Sequence, residues 1–397
     1  MRILYFADIR FPLERANGIQ TMATCHALAE RGHDVSLVVR PDTHKPARDP
    51  FEYYGVTRTP RLTVEYAPAS GPSLARRVGY LAFAAGRAAG TTRADIVMTR
   101  DLTVASLLLR LPSRPPLVYE SHGYSPDVTA ALPTLVSTAR PPSASKLARL
   151  ARRESLVWSR AAGYVTITHG LATSLVGRFG ARPRLAVVHD GARLPGTTET
   201  SPAVSMAAPS EVTVAYSGHL YPWKGVDVLL EALARVPAVR AIVIGGHDKE
   251  PDLARLRAHA ARLGLEGRIT FTGLVPPGDV AGCLSKADIL VLPNPASVIS
   301  SHATSPLKLF EYMAAGKAIV ASNLPAIAEI LTNDINAVLV EPGDAEALAA
   351  GIRTLAADAD LRNRLGDAAR RDVAEYSWKR RAERLEALFT EVLATAR

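Results

Sequence analysis

The chain repeats one pattern along its length: short β-branched apolar runs alternate with longer amphipathic segments. This alternation predicts strands joined by helices, which is typical of a parallel sheet with helices on both faces. One such helix is expected over residues 20–30, ended by Gly32. The predicted strands are residues 3–6, 35–39, 63–66, 95–99, 117–120, 163–168, 184–189, 213–216, 241–244, 269–271, 289–292, 318–321 and 337–340.

The alternation stops once, over residues 192–211, which are rich in Pro, Ser and Thr and have no apolar period. It then resumes, so we predict an α/β protein of two Rossmann-like doubly wound domains. The first covers 1–192, a linker 193–211, the second 212–376, and a final helix 377–397. A cleft between the C-terminal edges of the two sheets is the expected ligand site.

Composition narrows the class of protein. The net charge is +9, but no RNP, zinc-finger or helix-turn-helix pattern accompanies it, so no nucleic-acid partner is expected. Cys25 and Cys283 are too far apart in sequence to form a ligand cluster or a disulfide framework. No signal peptide and no apolar run of ~18 residues is evident. We therefore expect a cytoplasmic protein.

Residues 140–160 form a separate basic amphipathic stretch. Six basic residues interleave with Leu147, Leu150, Val157 and Trp158 at near-helical spacing. Such a helix could rest on the inner face of a membrane as a peripheral contact. The alternative is an ordinary helix of the first domain with a solvated basic face, because the adjoining predicted strand gives it a core to pack on.

The segment SPLKLFEYMAAG contains signals for both ends of a short helix. Ser305 is a good N-cap, and Pro306 suits the first helical position, where a missing N–H costs nothing. Gly316 suits the residue after the helix, where a left-handed conformation is common. The sequence therefore predicts a helix that starts at Pro306 and ends before Gly316.

The first turn of this helix presents free backbone N–H groups at Leu307 and Lys308, supported by the helix dipole. Such a turn is suited to bind a diphosphate. Glu311 follows less than two turns later, where its carboxylate could accept two hydroxyl hydrogen bonds from a ribose. The alternative is a capped helix with an ordinary surface glutamate.

A second informative segment, YSGHLYPWKG, follows the first predicted strand of the second domain. Gly218 permits a sharp turn that leaves room for a ligand. Lys224 lies at the start of a predicted helix over 226–234, where it could neutralise a leaving diphosphate. The alternative is a solvated surface lysine.

Together these segments resemble glycosyltransferase family 4, the retaining transferases of the two-domain GT-B fold, in its branch with SPLKLFEY-type motifs. The resemblance covers nearly the whole chain and is densest over 214–349, where VAYSGHLYPWKG, ITFTGLVPPGDVAGCLSKADILVLPNP, SPLKLFEYMAAGKAIVAS and NAVLVEPGDAEALA run in the family's order. EYSWKRRAERLEALF looks like the family's closing helix, which crosses back onto the first domain. Four motifs in register are more specific than any one alone.

The resemblance implies that the first domain faces the acceptor and the second binds the nucleotide sugar. Lys224 then contacts the donor diphosphate, Glu311 binds the ribose, and Val275 lies near the base. The diphosphate is held by backbone amides at the helix start. The full donor-binding prediction is Gly18, Gly218, His219, Lys224, Val275, Ser305, Pro306, Leu307, Lys308 and Glu311.

In the first domain, Gly18 matches the glycine loop that approaches the diphosphate, and His122 matches a histidine near the donor sugar. We place His122 with Lys224 and Glu311 as the catalytic set. Asn17 and Arg100 are the predicted acceptor contacts. For Arg100 the alternative is a surface pair with Asp101.

Three positions depart from the family pattern. Ala303 stands where the first glutamate of the E-x7-E motif would be, His219 replaces an arginine, and Asn17–Gly18 replaces two glycines. Ala303 cannot act as acid, base or nucleophile. In addition, no Asp-x-Asp motif follows a predicted strand, so no metal and no other cofactor is expected. Lys224 and the amides at the helix start would instead stabilise the negative charge on the leaving diphosphate.

The predicted function is therefore a metal-independent retaining hexosyltransferase that uses a UDP- or GDP-sugar. Its acceptor is a hydroxyl group on a polysaccharide, a lipid-linked compound or a small molecule. Two alternatives stay open: a nucleotide-sugar epimerase of the same fold, and a non-catalytic protein that binds a sugar nucleotide.

Overall fold

Each half of the chain folds around its own parallel sheet. The computed structural model describes residues 1–68, 73–90, 94–135, 140–194, 211–247, 251–297, 300–301 and 306–395. Unit 1 comprises Met1–Leu132, Arg140–Asp190 and Trp378–Arg397, and unit 2 comprises Pro133–Ala139 and Gly191–Ser377. Most of the predicted linker, residues 195–210, lies outside the described residues.

The described sheet of unit 1 has seven strands in the order β3-β2-β1-β4-β5-β6-β7. Neighbouring strands pair in parallel throughout, for example Tyr5 opposite Leu37 and Met98. The strands are β1 Arg2–Arg10, β2 Asp34–Arg40, β3 Leu62–Tyr66, β4 Ile96–Thr99, β5 Leu117–Ser121, β6 Gly163–Thr166 and β7 Leu185–Val187.

Helices cover both faces of this sheet, because successive side chains of a strand point to opposite faces. Tyr5 and Leu37 belong to one buried apolar cluster, and their neighbours Phe6 and Val38 belong to another. The helices of the first half are α1 Ala16–Glu30, α2 Pro50–Tyr54, α3 Ser73–Ala89, α4 Leu102–Leu108, α5 Ser125–Leu135, α6 Ala144–Arg160 and α7 His169–Phe179.

Unit 2 repeats the same order, with six described strands arranged β10-β9-β8-β11-β12-β13. The strands are β8 Val212–Ser217, β9 Val239–Ile244, β10 Ile269–Gly273, β11 Ile289–Leu292, β12 Ala318–Ser322 and β13 Val338–Val340. The helices are α8 Val226–Ala234, α9 Pro251–Arg262, α10 Val280–Leu284, α11 Leu307–Ala315, α12 Pro325–Ala328, α13 Ala345–Ala357 and α14 Ala359–Asp372, with 3₁₀ turns at Pro222–Lys224 and Val373–Tyr376.

The last helix, α15 (Trp378–Ala394), belongs to unit 1 although it follows unit 2 in sequence. Its apolar residues Leu385, Leu388 and Phe389 join the buried cluster around Tyr5. At the rim of this contact, Arg31 at the end of α1 donates to Glu383 over 3.0 Å. Unit 1 is therefore completed by the C-terminal segment.

The prediction of two doubly wound α/β domains is confirmed, and every predicted strand is present. The helix predicted over 226–234 is also confirmed. The helix predicted over 20–30 begins earlier, at Ala16. Among the described helices, none combines the length and the apolar character that crossing a membrane requires.

Candidate functional site

The C-terminal ends of β8 and β9 meet through glycine backbone in unit 2. Gly218 follows β8 with φ of 126°, and Gly245 follows β9 with φ of 118°, a region that favours glycine. A Cβ on Gly245 would overlap the carbonyl oxygen of Gly218. Sequence analysis identified Gly218 but missed Gly245. The feature that could have predicted Gly245 is the pair Gly245–Gly246, which directly follows a buried strand.

The loop after Gly218 is stiffened by stacked rings. His219 stacks on Tyr221 with ring centroids 5.1 Å apart, and Tyr221 stacks on Trp223 at 4.6 Å. The Tyr216 hydroxyl donates to the His219 carbonyl over 2.6 Å. The ring of His219, which sequence analysis assigned to the diphosphate, is thus part of an aromatic stack.

Lys224 ends the 3₁₀ turn of this loop, and Gly225 links it to α8. Gly225 has φ of 76°, and a Cβ there would overlap the carbonyl oxygen of Pro293 after β11. The Asn294 side chain also donates to the Trp223 carbonyl over 3.3 Å. The loop after β11 therefore fixes the loop that contains Lys224, so Lys224 lies beside the ends of two adjacent strands.

Helix α11 starts at Leu307, with Pro306 as its N-cap residue in an extended conformation. The prediction that Pro306 takes the first helical position was therefore wrong by one residue. A proline can precede the helix because its carbonyl still accepts the first turn's hydrogen bond, from Leu309 N at 2.8 Å. Ser305 and Ala303 lie outside the described residues. The predicted end at Gly316, with φ of 64°, is confirmed.

The first turn of α11 presents N–H groups at Leu307 and Lys308, which lack intrahelical acceptors as in any helix. The structure also places the Lys308 side chain close to Lys224 and Glu311. Burial lowers the pKa of Lys224 and raises that of Glu311. Sequence analysis used only the Lys308 amide. The signal for its side chain was a lysine between two leucines in an apolar helix.

Val275 follows β10, the strand at one edge of the described sheet. In the strand order, β9 and β10 lie on one side of β8, and β11 lies on the other. The half-buried side chain of Val275 packs against the apolar cluster that includes Phe310 and Tyr312 of α11. The Tyr312 hydroxyl in turn accepts a hydrogen bond from Ser217 N over 2.7 Å. Gly218, Lys224, Val275, Leu307, Lys308 and Glu311 are therefore all located on loops and one helix start at the strand ends of unit 2.

In unit 1, His122 follows β5 and belongs to a buried polar network. Its Nε2 lies 2.5 Å from Oε1 of Glu120, which also accepts from Gln20 over 2.6 Å. Arg100 donates to the other end of the Gln20 amide over 2.8 Å. Sequence analysis identified His122 and Arg100 separately, and Glu120 and Gln20 connect them.

Arg381 of α15 completes this network at the other oxygen of Glu120. Its Nη1 donates to the carbonyls of Val188 and His189, both over 2.9 Å, and its Nε donates to Thr24 over 2.9 Å. Arg381 and Glu120 are 1% and 0% exposed. Both residues were missed from the sequence. The signal for Glu120 was a charged residue within the buried strand LVYES, and the signal for Arg381 was a charged residue on the apolar face of a helix.

The network fixes the protonation of His122. Burial opposes ionisation of Glu120, but Arg381 and His122 outweigh it and keep the pKa of Glu120 below its ordinary 4.5. Burial and the charge of Arg100 lower the pKa of His122 to about 4. At neutral pH the ring is therefore neutral. Because Glu120 is ionised and can only accept, the proton of His122 lies on Nε2, which leaves Nδ1 as an acceptor.

Gly18 lies in the first turn of α1 rather than in a loop, so its predicted conformation was wrong. A Cβ at this position would overlap the Leu13 carbonyl and the Tyr54 hydroxyl, so packing alone already requires glycine here. Asn17, one residue earlier, accepts a hydrogen bond from Thr21 over 3.3 Å. Asp101 is the N-cap of α4 and accepts from Thr103 N and Val104 N.

The basic stretch 140–160 folds as α6 and packs on unit 1. Val157 and Trp158 are buried, and the Trp158 ring contacts Tyr164 of β6 with centroids 4.9 Å apart. Glu154 is buried as well and accepts from the backbone and hydroxyl of Ser125. This is the packing expected of an ordinary domain helix.

Two family models match successive parts of the chain. "Glycosyl transferase 4-like domain" matches residues 18–191, and "Glycosyl transferases group 1" matches residues 198–372. Among curated relatives, D-inositol 3-phosphate glycosyltransferase of Segniliparus rotundus is 30% identical over 50% of this chain and 44% of its own length. The enzyme of that name from Nocardia farcinica is 28% identical over 68% of this chain and 60% of its own length. The chain thus spans about half the length of these relatives.

Solved structures match over the full chain. Sucrose-phosphate synthase from Thermosynechococcus elongatus has a TM-score of 0.77 at 19% identity and covers 99% of both chains. HepE from Anabaena, in complex with UDP and glucose, has a TM-score of 0.73 at 18% identity and covers 98% of this chain and 99% of its own.

Two Rossmann-like units in tandem, together with these structural neighbours, define a protein of GT-B fold. With both family models matched in succession over most of its length, the chain belongs to the family 4 type of glycosyltransferases.

Proposed function

We propose that the chain is a retaining glycosyltransferase that transfers a hexosyl group from a nucleoside diphosphate sugar to a hydroxyl acceptor. The main support is the set of charges at the strand ends of unit 2. There Lys224, the free amides at the start of α11 and Glu311 lie at the edge where parallel α/β sheets bind ligands.

The donor is a UDP-sugar or a GDP-sugar in this proposal. The amides of Leu307 and Lys308, with Lys224, bind the diphosphate. Glu311 accepts hydrogen bonds from the ribose hydroxyls, and Val275 contacts the base. UDP is the first choice, because HepE has been solved with UDP, with UDP and glucose, and with UDP-glucose.

Unit 1 supplies the acceptor side. The neutral ring of His122 offers Nδ1 as an acceptor to a sugar hydroxyl, while Arg100 and Asn17 contact the acceptor. The curated relatives are named for D-inositol 3-phosphate, so this compound is the first acceptor to test among small molecules, lipid-linked compounds and polysaccharides.

The reaction needs no side-chain nucleophile in this scheme. The acceptor oxygen forms its bond to the anomeric carbon on the face from which the diphosphate departs. The bond from carbon to the phosphate oxygen breaks, and the acceptor proton moves to the departing β-phosphate. Lys224 and the α11 amides stabilise the negative charge that develops on that group.

This scheme predicts that activity persists in excess EDTA, because fixed cations and amides meet the charge of the diphosphate. It also predicts a product that keeps the anomeric configuration of the donor. The proton coupling of the new glycosidic bond, measured by NMR, checks the second point. Loss of activity in EDTA that Mg²⁺ restores would contradict the metal-free scheme, and an inverted product would contradict retention.

Glu311→Gln is expected to weaken binding of the free nucleoside diphosphate by ~1.5–3 kcal/mol, the range for hydrogen bonds to a charged group. Calorimetric titration with UDP and GDP measures this change. Glu329→Gln, at the residue that follows the short helix α12, is the control and should bind as the wild type does. An unchanged dissociation constant for Glu311→Gln would remove this residue from the ribose site.

The same assays separate the alternatives. An epimerase would change the sugar of the donor without needing an acceptor, and a non-catalytic binding protein would bind the donor and leave it intact. NMR of a donor incubated with the protein, with and without acceptor, distinguishes these outcomes from transfer.

A further inference from the structure

We propose that the Lys308 side chain, in addition to its backbone amide, binds the donor diphosphate as a second cation beside Lys224. This inference rests on the proposed function and extends it to a side chain that neither the motifs nor the relatives identify. It depends on three observations: the burial of the Lys308 side-chain nitrogen, the lack of a hydrogen-bond partner for it among the described residues, and its position at the strand ends.

The side-chain nitrogen of Lys308 is buried, and among the described residues it donates no hydrogen bond, not even to the nearby carboxylate of Glu311. The residue is 8% exposed. Nζ lies 3.8 Å from the centroid of the Tyr216 ring, a cation–π contact. Such a contact offsets only part of the cost of removing an ammonium from water. Neither this contact nor the charge of Glu311 gives the nitrogen a hydrogen-bond acceptor, so the group is available to a ligand that does.

The location of Nζ points to the same site as Lys224. A Cβ on Gly218 would lie 3.0 Å from this nitrogen, so the ammonium occupies the space directly over the turn after β8. Lys308 also lies in the first turn of the nine-residue helix α11, whose N–H groups add positive potential. Two cations and a helix start in one place are suited to a ligand with at least two negative charges. A diphosphate meets this requirement better than a monophosphate or a nucleoside.

The surrounding groups make the charge of Lys308 dependent on its ligand. Burial and the nearby Lys224 lower the pKa of Lys308 well below its ordinary 10.5, while Glu311 acts in the opposite direction. The ring of Tyr216 lies against it as well. A bound diphosphate would favour the charged form, so binding should take up protons between the lowered pKa and 10.5.

The test is calorimetric titration of the full chain and of Lys308→Met with UDP, UMP and uridine. Methionine keeps the length and the apolar stem but removes the charge. We expect the affinity for UDP to fall by about 10- to 100-fold, the scale of one lost charge-assisted hydrogen bond, and the affinity for uridine to stay unchanged. The loss for UMP should be smaller than for UDP. Lys286→Met, an exposed lysine of unit 2, is the control and should behave as the wild type.

Thermal unfolding without ligand provides the second readout. Since the buried side-chain nitrogen donates no hydrogen bond within the described part of the chain, Lys308→Met should be as stable as the wild type or more stable, yet gain less stability from added UDP. Equal affinity of Lys308→Met and wild type for UDP would overturn the inference. So would a loss of the unliganded fold, because the ammonium would then be structural. If the wild type binds neither UDP nor GDP, the proposed function itself fails, which is a distinct outcome.

Discussion

Replacing Arg381 with methionine is expected to lower the free energy of unfolding of unit 1 by about 3–5 kcal/mol, the usual cost of leaving one member of a buried ion pair alone. Glu120 would remain in a fully buried position, with Gln20 and His122 still bonded to it. The carbonyls of Val188 and His189 would also lose their donor. Chemical denaturation followed by tryptophan fluorescence measures the change.

The design of this experiment must separate the two units. Trp158 and Trp378 belong to unit 1 and Trp223 to unit 2, so a Trp223→Phe background reports on unit 1 alone. Arg380→Met is the matched control, because its pair with Glu383 is exposed and worth under ~1 kcal/mol. Changing Glu120 and Arg381 together to methionine should recover part of the loss. A cost of under ~1 kcal/mol for Arg381→Met would contradict the role of the pair.

Lys224→Ala is expected to lower turnover by at least ~10²-fold with the fold intact, the scale of losing one group that stabilises the charge of a transition state. The lysine is half-buried at the end of a 3₁₀ turn that Gly225 and Asn294 hold in place, so its position at the strand ends is fixed by the loop. Product formation at saturating donor, with far-UV circular dichroism as a check on folding, measures the effect.

Lys286→Ala provides the control for Lys224→Ala, since it removes the same charge from an exposed position in unit 2. Near-normal turnover in Lys224→Ala would exclude Lys224 from the site and would favour the interpretation of a surface lysine. A selective rise in KM with unchanged turnover would place the lysine in donor binding rather than in stabilising the departing group.

Strands were the most predictable part of the fold. A central strand of a doubly wound sheet is buried on both faces, so it appears in the sequence as a continuous apolar run such as ILVL at 289–292. The strand ends could also be predicted, which is why Gly218 and Lys224 were found from the sequence. Helix starts were less certain, because Pro306 is compatible with both the N-cap and the first helical position.

The buried network of unit 1 could not be predicted from local patterns. Glu120 and Arg381 are separated by 261 positions, and only the folded chain brings them together. Gly18 shows the opposite problem: its motif suggested a ligand loop, but contacts with Leu13 and Tyr54 already account for a glycine. A motif match at a glycine can therefore fall on a position that packing alone already restricts to glycine.

The origin of Arg381 in α15 has a consequence for the order of events during synthesis. Domains usually fold in the order in which they leave the ribosome. Here Glu120 gains its ion-pair partner only once residue 381 has been synthesised, whereas the described strands of unit 2 have all been synthesised by residue 340. The second unit can therefore finish folding first, and until α15 emerges the carboxylate of Glu120 lacks the opposite charge of Arg381. A chain released before α15 would leave unit 1 open to aggregation or proteolysis although nearly all of its sheet is already made.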